Sequence, residues 1–411
     1  MGRPAVPACD GKEIYAMKVS AEARKNLWIE LLVIGAVLVV VLFPFRGDTY
    51  RRYSTDTLSY QRGTVLKVVS EELSESPQKT GQMLGLQELT VRLSGGEVVS
   101  IHNYLTDTHN ILLNEGDPAI ICVDAPKNAA PYYTVYQYDR TVGLIALGAM
   151  FFGLMLLIGG RKGFDALLAL VFSGAFLICV ALPLLYNGVS PVLVGLMTVL
   201  LLTLVTLLLL HGMTKECLLG IGVTLLGELT ACALFGVFSA ILHLTGLQLG
   251  EAEDLLLITQ NTGLKVKSLL FTGMMLASLG AVMDVAVSVL AALREVADAM
   301  PHPQPKTLFD SGMRIGRNML GTMSNTLLFA FAGGALTTML VFFSYGVQLH
   351  QILHSDYLSL ELAQGLCSTA AVILTVPAAS FVGAFAFSNR RNVFPVRKSA
   401  FDKNKKTGRL R

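Results

Sequence analysis

Charged residues are scarce in this sequence. Asp, Glu, Lys and Arg make up 15% of the 411 residues, whereas soluble domains carry about 25%. Hydrophobic residues reach 53%. This shortage of charge excludes an ordinary soluble protein and predicts a chain that crosses a membrane repeatedly.

The motifs of several enzyme classes are also missing. The six cysteines are scattered and form no CxxC pair, so we expect small apolar side chains rather than metal ligands. There is no GxxxxGK[ST] phosphate loop, no GxSxG nucleophile elbow and no dinucleotide glycine fingerprint. We therefore expect no enzymatic activity, no cofactor and no metal. The basic C-terminal tail can touch anionic lipid. Nothing else in the sequence supports nucleic-acid binding.

Apolar segments of helix length fill most of the chain. Each holds enough residues to cross the hydrocarbon core of a bilayer. We expect the first to be an uncleaved anchor, because no small-x-small cleavage site follows it. We predict eight transmembrane spans at residues 27–43, 142–159, 164–186, 189–210, 217–244, 269–290, 326–345 and 366–387.

The long polar stretch at residues 44–141 has the pattern of a β domain. Five short segments alternate in polarity or are rich in β-branched and aromatic residues. Ser94-Gly95-Gly96-Glu97 predicts a tight hairpin between two of them. The strands are expected at residues 63–70, 89–94, 97–103, 119–124 and 132–138, in a small closed barrel of OB or SH3 type.

The distribution of Lys and Arg predicts the orientation. With the N-terminus inside, the inner segments hold most of the basic residues, and the short outer loops hold only Lys265 and Lys267. The predicted order is a cytoplasmic tail (1–26), an anchor (27–43), an extracytoplasmic β domain (44–141), a seven-helix membrane domain (142–387) and a basic cytoplasmic tail (388–411).

Two carboxylates stand inside predicted spans, where an acid is costly unless something binds it. Asp284 lies in the cytoplasmic half of the sixth span among small residues that include Gly280 and Ser288, and Glu228 lies near the middle of the fifth. Both are candidates for a solute or ion site. The alternative is structural, with each acid pairing to a basic group or capping a neighbouring helix.

The glycine-punctuated segment 311–326 precedes the seventh span. One interpretation is a re-entrant segment that lines the site, with Asn325 in the site and Arg317 as a gate or counter-ion for Asp284. The other is a cytoplasmic loop that ends in a helix N-cap at Asn325.

Two stretches resemble the YibE/F-like family of bacterial membrane proteins. They are SLGAVMDVAVS, from Ser278 to Ser288, and SGMRIGRNMLGTMSNT, from Ser311 to Thr326. The resemblance is expected over roughly residues 55–390 and implies a multi-pass membrane protein that acts as a transporter. The family pattern often has an acid after the arginine of the second stretch, where this chain has Asn318.

These observations favour a transporter or channel for a small solute or ion in a bacterial plasma membrane, with Asp284 and Glu228 at its polar centre. The alternative is a non-transporting scaffold or accessory subunit whose outer β domain binds a protein partner. In that alternative, Asp284 pairs with Arg317.

Overall fold

A small β sheet and a set of long helices make up the part of the chain that the structure describes. The computed structural model describes residues 29–41, 57–76, 81–127, 129–246 and 252–388. The predicted tails, 1–26 and the residues after 388, lie outside this part. The chain divides into two compact units, Arg51–Gly160 on the one hand and Met1–Tyr50 with Arg161–Arg411 on the other.

The first unit contains a five-stranded antiparallel half-barrel. The sheet order is β3-β2-β1-β4-β5, and the edge strands β3 and β5 contact each other without pairing. The five predicted strands are confirmed, but the closed barrel is replaced by a half-closed sheet, and the first two strands are longer than expected. The strands are β1 (Leu58–Glu75), β2 (Met83–Leu93), β3 (Val98–Leu105), β4 (Pro118–Asp124) and β5 (Tyr132–Tyr138).

The long first strand explains the curvature. β1 pairs with β4 through its first residues and with β2 through the rest, with register shifts between Val65 and Ser70. Such bulges bend a strand and increase its twist. Buried amides then fix the loop before β4, because Asn103 Nδ2 donates to Gln87 Oε1 (3.1 Å) and to the Ile111 carbonyl (2.8 Å).

Six helical segments are long and apolar enough to span a membrane, which indicates a helical membrane protein. A shorter apolar helix, α1 (Ile29–Val41), precedes the sheet. The long segments are α2 (Thr141–Phe176) continued through a π-helical turn into α3 (Leu182–Tyr186), then α4 (Pro191–His211), α5 (Lys215–Ile241), α7 (Val266–Ala299), α8 (Pro305–Ser344) and α10 (Asp356–Ser388), with the short α6 (Ala252–Thr262) and α9 (Leu349–Leu353) between them.

The helix that begins at Thr141 is longer than either of the two spans predicted there. Its backbone leaves helical geometry at Gly160 (φ 54°, ψ −130°), a conformation that glycine adopts without a steric penalty. The predicted spans 142–159 and 164–186 therefore correspond to the helical stretches on either side of this glycine.

The segment 311–326 is neither a loop nor a re-entrant segment. It lies inside α8, a continuous helix whose N-cap residue is Gln304, so the expected N-cap at Asn325 is wrong. A Cβ at Gly312 would lie 2.6 Å from Ser380 Oγ, and one at Gly316 would overlap Val376. These glycines allow α8 and α10 to pack closely, as small residues do in membrane helices.

Helices α5, α7 and α10 form the centre of the helical unit and pack on one another. A Cβ at Gly227 of α5 would lie 2.6 Å from both Thr375 Oγ1 of α10 and Val282 Cγ1 of α7. Val282, Ala371 and Val376 are fully buried nearby. Close packing at Gly227 places its neighbour, Glu228, in the interior.

Candidate functional site

Glu228 is the most enclosed acid of the described helices. Its residue is 1% exposed, and it stands midway along α5. The Ser278 hydroxyl of α7 lies 2.9 Å from its Oε2 atom. Its Oε1 atom is buried and has no hydrogen-bond partner among the described residues. A carboxyl group with one hydrogen bond and one free oxygen inside a helix core can bind a proton or a small cation.

Buried hydroxyl groups accompany Glu228 on the same three helices. Thr224 lies one turn before Glu228 on α5, and Ser368 lies on α10; both are fully buried, and their hydroxyls lack partners among the described residues. Thr375 donates to the Ala371 carbonyl within its own helix. The centre of the helical unit therefore contains more buried polar groups than the hydrogen bonds of the described residues satisfy.

Asp284 occupies a different environment. Its side chain is exposed, and it makes no hydrogen bond or ion pair with any described residue. Gly280, one turn earlier, is also exposed, and no described atom outside its own stretch of helix lies within 4 Å of a Cβ placed there. Ser288, one turn later, is partly buried. These residues form an open face of small side chains on α7 that carries one carboxylate.

Glu228 and Asp284 do not form one compact site in this structure. Ser278, which holds Glu228, precedes Asp284 by six residues on α7. Six residues correspond to about 9 Å along the axis and a rotation of roughly 240°, so the two side chains leave different faces of the helix. The sequence predicted Asp284 in the cytoplasmic half of its span and Glu228 near the middle of its own, but it could not reveal how the helices rotate about their axes.

The two α8 residues of the predicted site are also separate from these acids. Arg317 and Asn325 are exposed, and neither makes a hydrogen bond or ion pair to Asp284 or Glu228 within the described chain. The expected Arg317–Asp284 ion pair is therefore not formed here. The nearby Arg314 bonds to Ser311 Oγ at 3.3 Å within α8.

Three polar residues that the fold makes important cannot be identified from the sequence alone. Ser278 lies in one of the two family-like stretches, and only the fold shows that it is the partner of Glu228. The predicted spans leave Glu361 in an outer loop, but α10 begins at Asp356, and Glu361 lines a small pocket of about 60 Å³ between α8 and α10. Glu216 pairs with Arg294 and ties the start of α5 to the end of α7. The low hydropathy around residue 361 concealed this part of α10.

A pocket of about 410 Å³ between α5 and α10 lies apart from all predicted site residues. Apolar side chains line most of it, among them Leu234, Phe238, Leu362 and Cys367.

The rings of His350 and His354, at α9, lie edge to face with their centroids 4.5 Å apart. The described residues contain no group of three or more side chains of His, Cys, Asp or Glu that could hold a metal ion.

The long helices from α2 onward match a known family of proteins. Residues 147–389, more than half of the chain, match the family model described as YibE/F-like protein. The chain belongs to the YibE/F-like family. No curated protein and no solved structure matches it. The match begins at residue 147, so it covers the long helices from α2 onward and leaves the β strands out, whereas the resemblance was expected to begin near residue 55.

The structure gives the two YibE/F-like stretches distinct roles. The first contains both Ser278, which bonds to the buried Glu228, and Asp284, on the open face of α7. The second contains Gly312 and Gly316, where α8 packs against α10. One stretch therefore bears the polar groups, and the other holds together the helices around them.

Proposed function

We propose that this YibE/F-like protein is a transporter or channel for a small solute or ion. The observation that carries the proposal is Glu228, a carboxyl group buried at the middle of a long apolar helix and bonded, among the described residues, only to Ser278. A stable helix core needs no acid there, and acids inside membrane segments mark ion or substrate pathways. Asp284, on the open face of α7, would line another part of the same pathway, with Asn325 and Arg317 at its edge.

The proposed topology has eight spans in a bacterial plasma membrane, with both termini in the cytoplasm and the β domain outside. The short helix α1 and the two stretches separated at Gly160 bring the six long segments to eight. The distribution of Lys and Arg supports this orientation. Exposed apolar side chains such as Leu157, Ile158 and Phe343 suit contact with lipid.

Charge movement across proteoliposomes tests the proposal. Purified full-length protein on a solid-supported membrane would be exposed to concentration steps of NaCl, KCl, MgCl₂, phosphate and amino acids, and to pH steps. We expect at least one step to produce a current that protein-free liposomes lack. Glu228→Gln and Asp284→Asn should reduce this current to the protein-free level, because each removes an ionisable group from the pathway.

Glu295→Gln is the matched control, since Glu295 is an exposed acid near the end of α7. Its current should equal that of the wild type. A wild-type protein that gives no current with any solute contradicts the proposal, as do wild-type currents in both Glu228→Gln and Asp284→Asn.

A second candidate is a scaffold or accessory subunit whose β domain binds a protein partner. Exposed tyrosines favour it: Tyr60, Tyr104, Tyr132 and Tyr136 are each more than half exposed, and the Tyr60 and Tyr136 rings lie 4.8 Å apart. Tyrosine is enriched in protein interfaces. If this is the function, Tyr60→Ser with Tyr136→Ser abolishes crosslinking to the partner in intact cells, whereas Glu228→Gln leaves it unchanged.

A further inference from the structure

Glu228 has no basic partner among the described residues. Among the described residues, no lysine, arginine or histidine lies within hydrogen-bond or ion-pair distance of it. An unpaired ionised carboxyl group is very costly in such an interior, and a neutral carboxylic acid costs far less. The enclosed position therefore favours a carboxyl group that carries its own proton.

The titratable groups on the packed helices do not alter this conclusion. Cys232 lies one turn beyond Glu228 on α5, and Asp284 is on the open face of α7. The basic residues of α5 and α7 stand near the helix ends, at Lys215, Lys267 and Arg294, and Arg294 pairs with Glu216. The titratable groups of α10 are Asp356, Tyr357, Glu361 and Cys367, and none of them is basic.

The hydrogen-bond geometry at Ser278 fits a protonated Glu228. Ser278 Oγ lies 2.9 Å from Glu228 Oε2, 3.0 Å from the Met274 carbonyl and 3.2 Å from the Met275 carbonyl. A hydroxyl group has one hydrogen to donate, and a serine within a helix commonly donates it to the carbonyl four residues earlier. When Ser278 donates to Met274, its bond with Glu228 requires a proton on Oε2.

We propose that Glu228 binds and releases a proton and that Ser278 positions this proton. In the neutral state, Glu228 Oε2–H donates to Ser278 Oγ, and Ser278 donates to the Met274 carbonyl. On release, the proton passes from Oε2 to water, and the Ser278 hydroxyl turns to donate to the carboxylate. The inference deepens the proposed function, on which it rests, because it names the proton as the ion exchanged at this transport site.

The ligand set around Glu228 suits a proton better than a metal cation. Hard cations such as Ca²⁺ or Mg²⁺ take about six or more oxygen ligands. One hydroxyl group, from Ser278, bonds to the Glu228 carboxyl group in the described chain. A proton needs only the carboxyl oxygen and one acceptor, and Ser278 supplies that acceptor.

Carbodiimide labelling tests the assignment. Dicyclohexylcarbodiimide dissolves in bilayers and modifies carboxyl groups only while they are protonated, and peptide mass spectrometry of the full-length protein locates the adduct. We expect Glu228 to be modified at neutral pH, with the extent falling about tenfold per pH unit once the proton dissociates. Sodium chloride in place of choline chloride should give no protection, and Glu228→Gln should lose the adduct.

Ser278 variants test the positioning role. Ser278→Ala should move the pH midpoint of Glu228 labelling to higher pH, because the anion loses its hydrogen-bond donor, and Ser278→Thr should restore it. A serine that merely fills space would leave the midpoint unchanged in Ser278→Ala, and this result would overturn the role of Ser278.

The outcomes separate this inference from the proposed function. Absence of the adduct at every pH, or protection by sodium, overturns the proton assignment even if Glu228-dependent currents are found. Labelling with the expected pH dependence supports the proton site even if no tested solute produces a current, and the proposed transport then fails by itself.

Discussion

Ser278 Oγ and Glu228 Oε2 lie 2.9 Å apart although 50 residues separate them along the chain. Both residues are at most 1% exposed. The bond joins the middle of α5 to α7 by a direct polar contact. Its loss should therefore affect both the stability of the helical unit and the binding of the proposed proton.

Removing the Ser278 hydroxyl should destabilise the helical unit. We expect Ser278→Ala to lower the free energy of unfolding by about 1 kcal/mol, a typical value for hydrogen bonds between membrane helices. Thermal unfolding in detergent measures the change. Ser239→Ala is the matched control, because Ser239 is equally buried and its hydroxyl has no partner among the described residues. Equal losses for the two variants would contradict a specific role for the Ser278 bond.

Gly316 should not tolerate alanine. The added Cβ would overlap Val376 of α10, and overpacking of a close contact costs about 1–3 kcal/mol. We expect a lower unfolding temperature for Gly316→Ala and partial recovery when Val376→Ala is added. Gly334→Ala, elsewhere on α8, meets no described atom outside its own stretch of helix within 4 Å and should unfold like the wild type. A stable Gly316→Ala protein would refute the close packing of α8 against α10.

The Glu216–Arg294 pair should contribute to the attachment of α5 to α7. The Glu216 side chain is 11% exposed and that of Arg294 is 40% exposed, so the pair is intermediate between surface and buried pairs. We expect Arg294→Ala and Glu216→Ala each to cost about 1–3 kcal/mol. A double-mutant cycle should show that the two losses are not additive; simple additivity would mean that the pair contributes nothing.

Acid should weaken the junction between β5 and α2. Hydrogen bonds from the side chain and backbone of Thr141, with the Arg62 guanidinium 2.9 Å away, hold the pKa of Asp139 below its usual value of 3.8. Because the folded-state pKa is depressed, the stability that the carboxylate contributes is complete above the usual value and is lost as the pH falls through the lower one.

Hydrogen exchange of β1 and β5 peptides in the full-length protein measures this effect. Protection should decrease below about pH 4 in the wild type, after correction for the intrinsic exchange rate. Asp139→Asn should begin with less protection and show a weaker acid dependence. The same acid dependence in both proteins would mean that Asp139 is not the responsible group.

Sequence patterns predicted the helices and strands of this fold better than the contacts between them. Runs of about 20 apolar residues identify long helices by themselves, and alternation identified the five strands. Gly312 and Gly316 suggested a loop because glycine weakens isolated helices. In the structure these glycines are where α8 packs against α10, and that partner cannot be seen in the local sequence.

In the candidate site, too, the sequence identified the residues but not their contacts. Glu228 and Asp284 were identifiable as acids inside apolar segments, but their surroundings depend on how α5 and α7 rotate and pack. Ser278 became a partner of Glu228 only through that packing, which no local pattern encodes. Asp284 instead lies on an open face, where the predicted ion pair with Arg317 is not formed.

The most direct test of the account is the protonation state of Glu228 in the membrane. Infrared difference spectra of wild type minus Glu228→Gln in lipid bilayers should contain the carbonyl band of a protonated carboxylic acid at neutral pH. Raising the pH should replace that band with carboxylate bands. Carboxylate bands at neutral pH, or a difference spectrum that does not respond to pH, would contradict a proton-binding Glu228 at the centre of this protein.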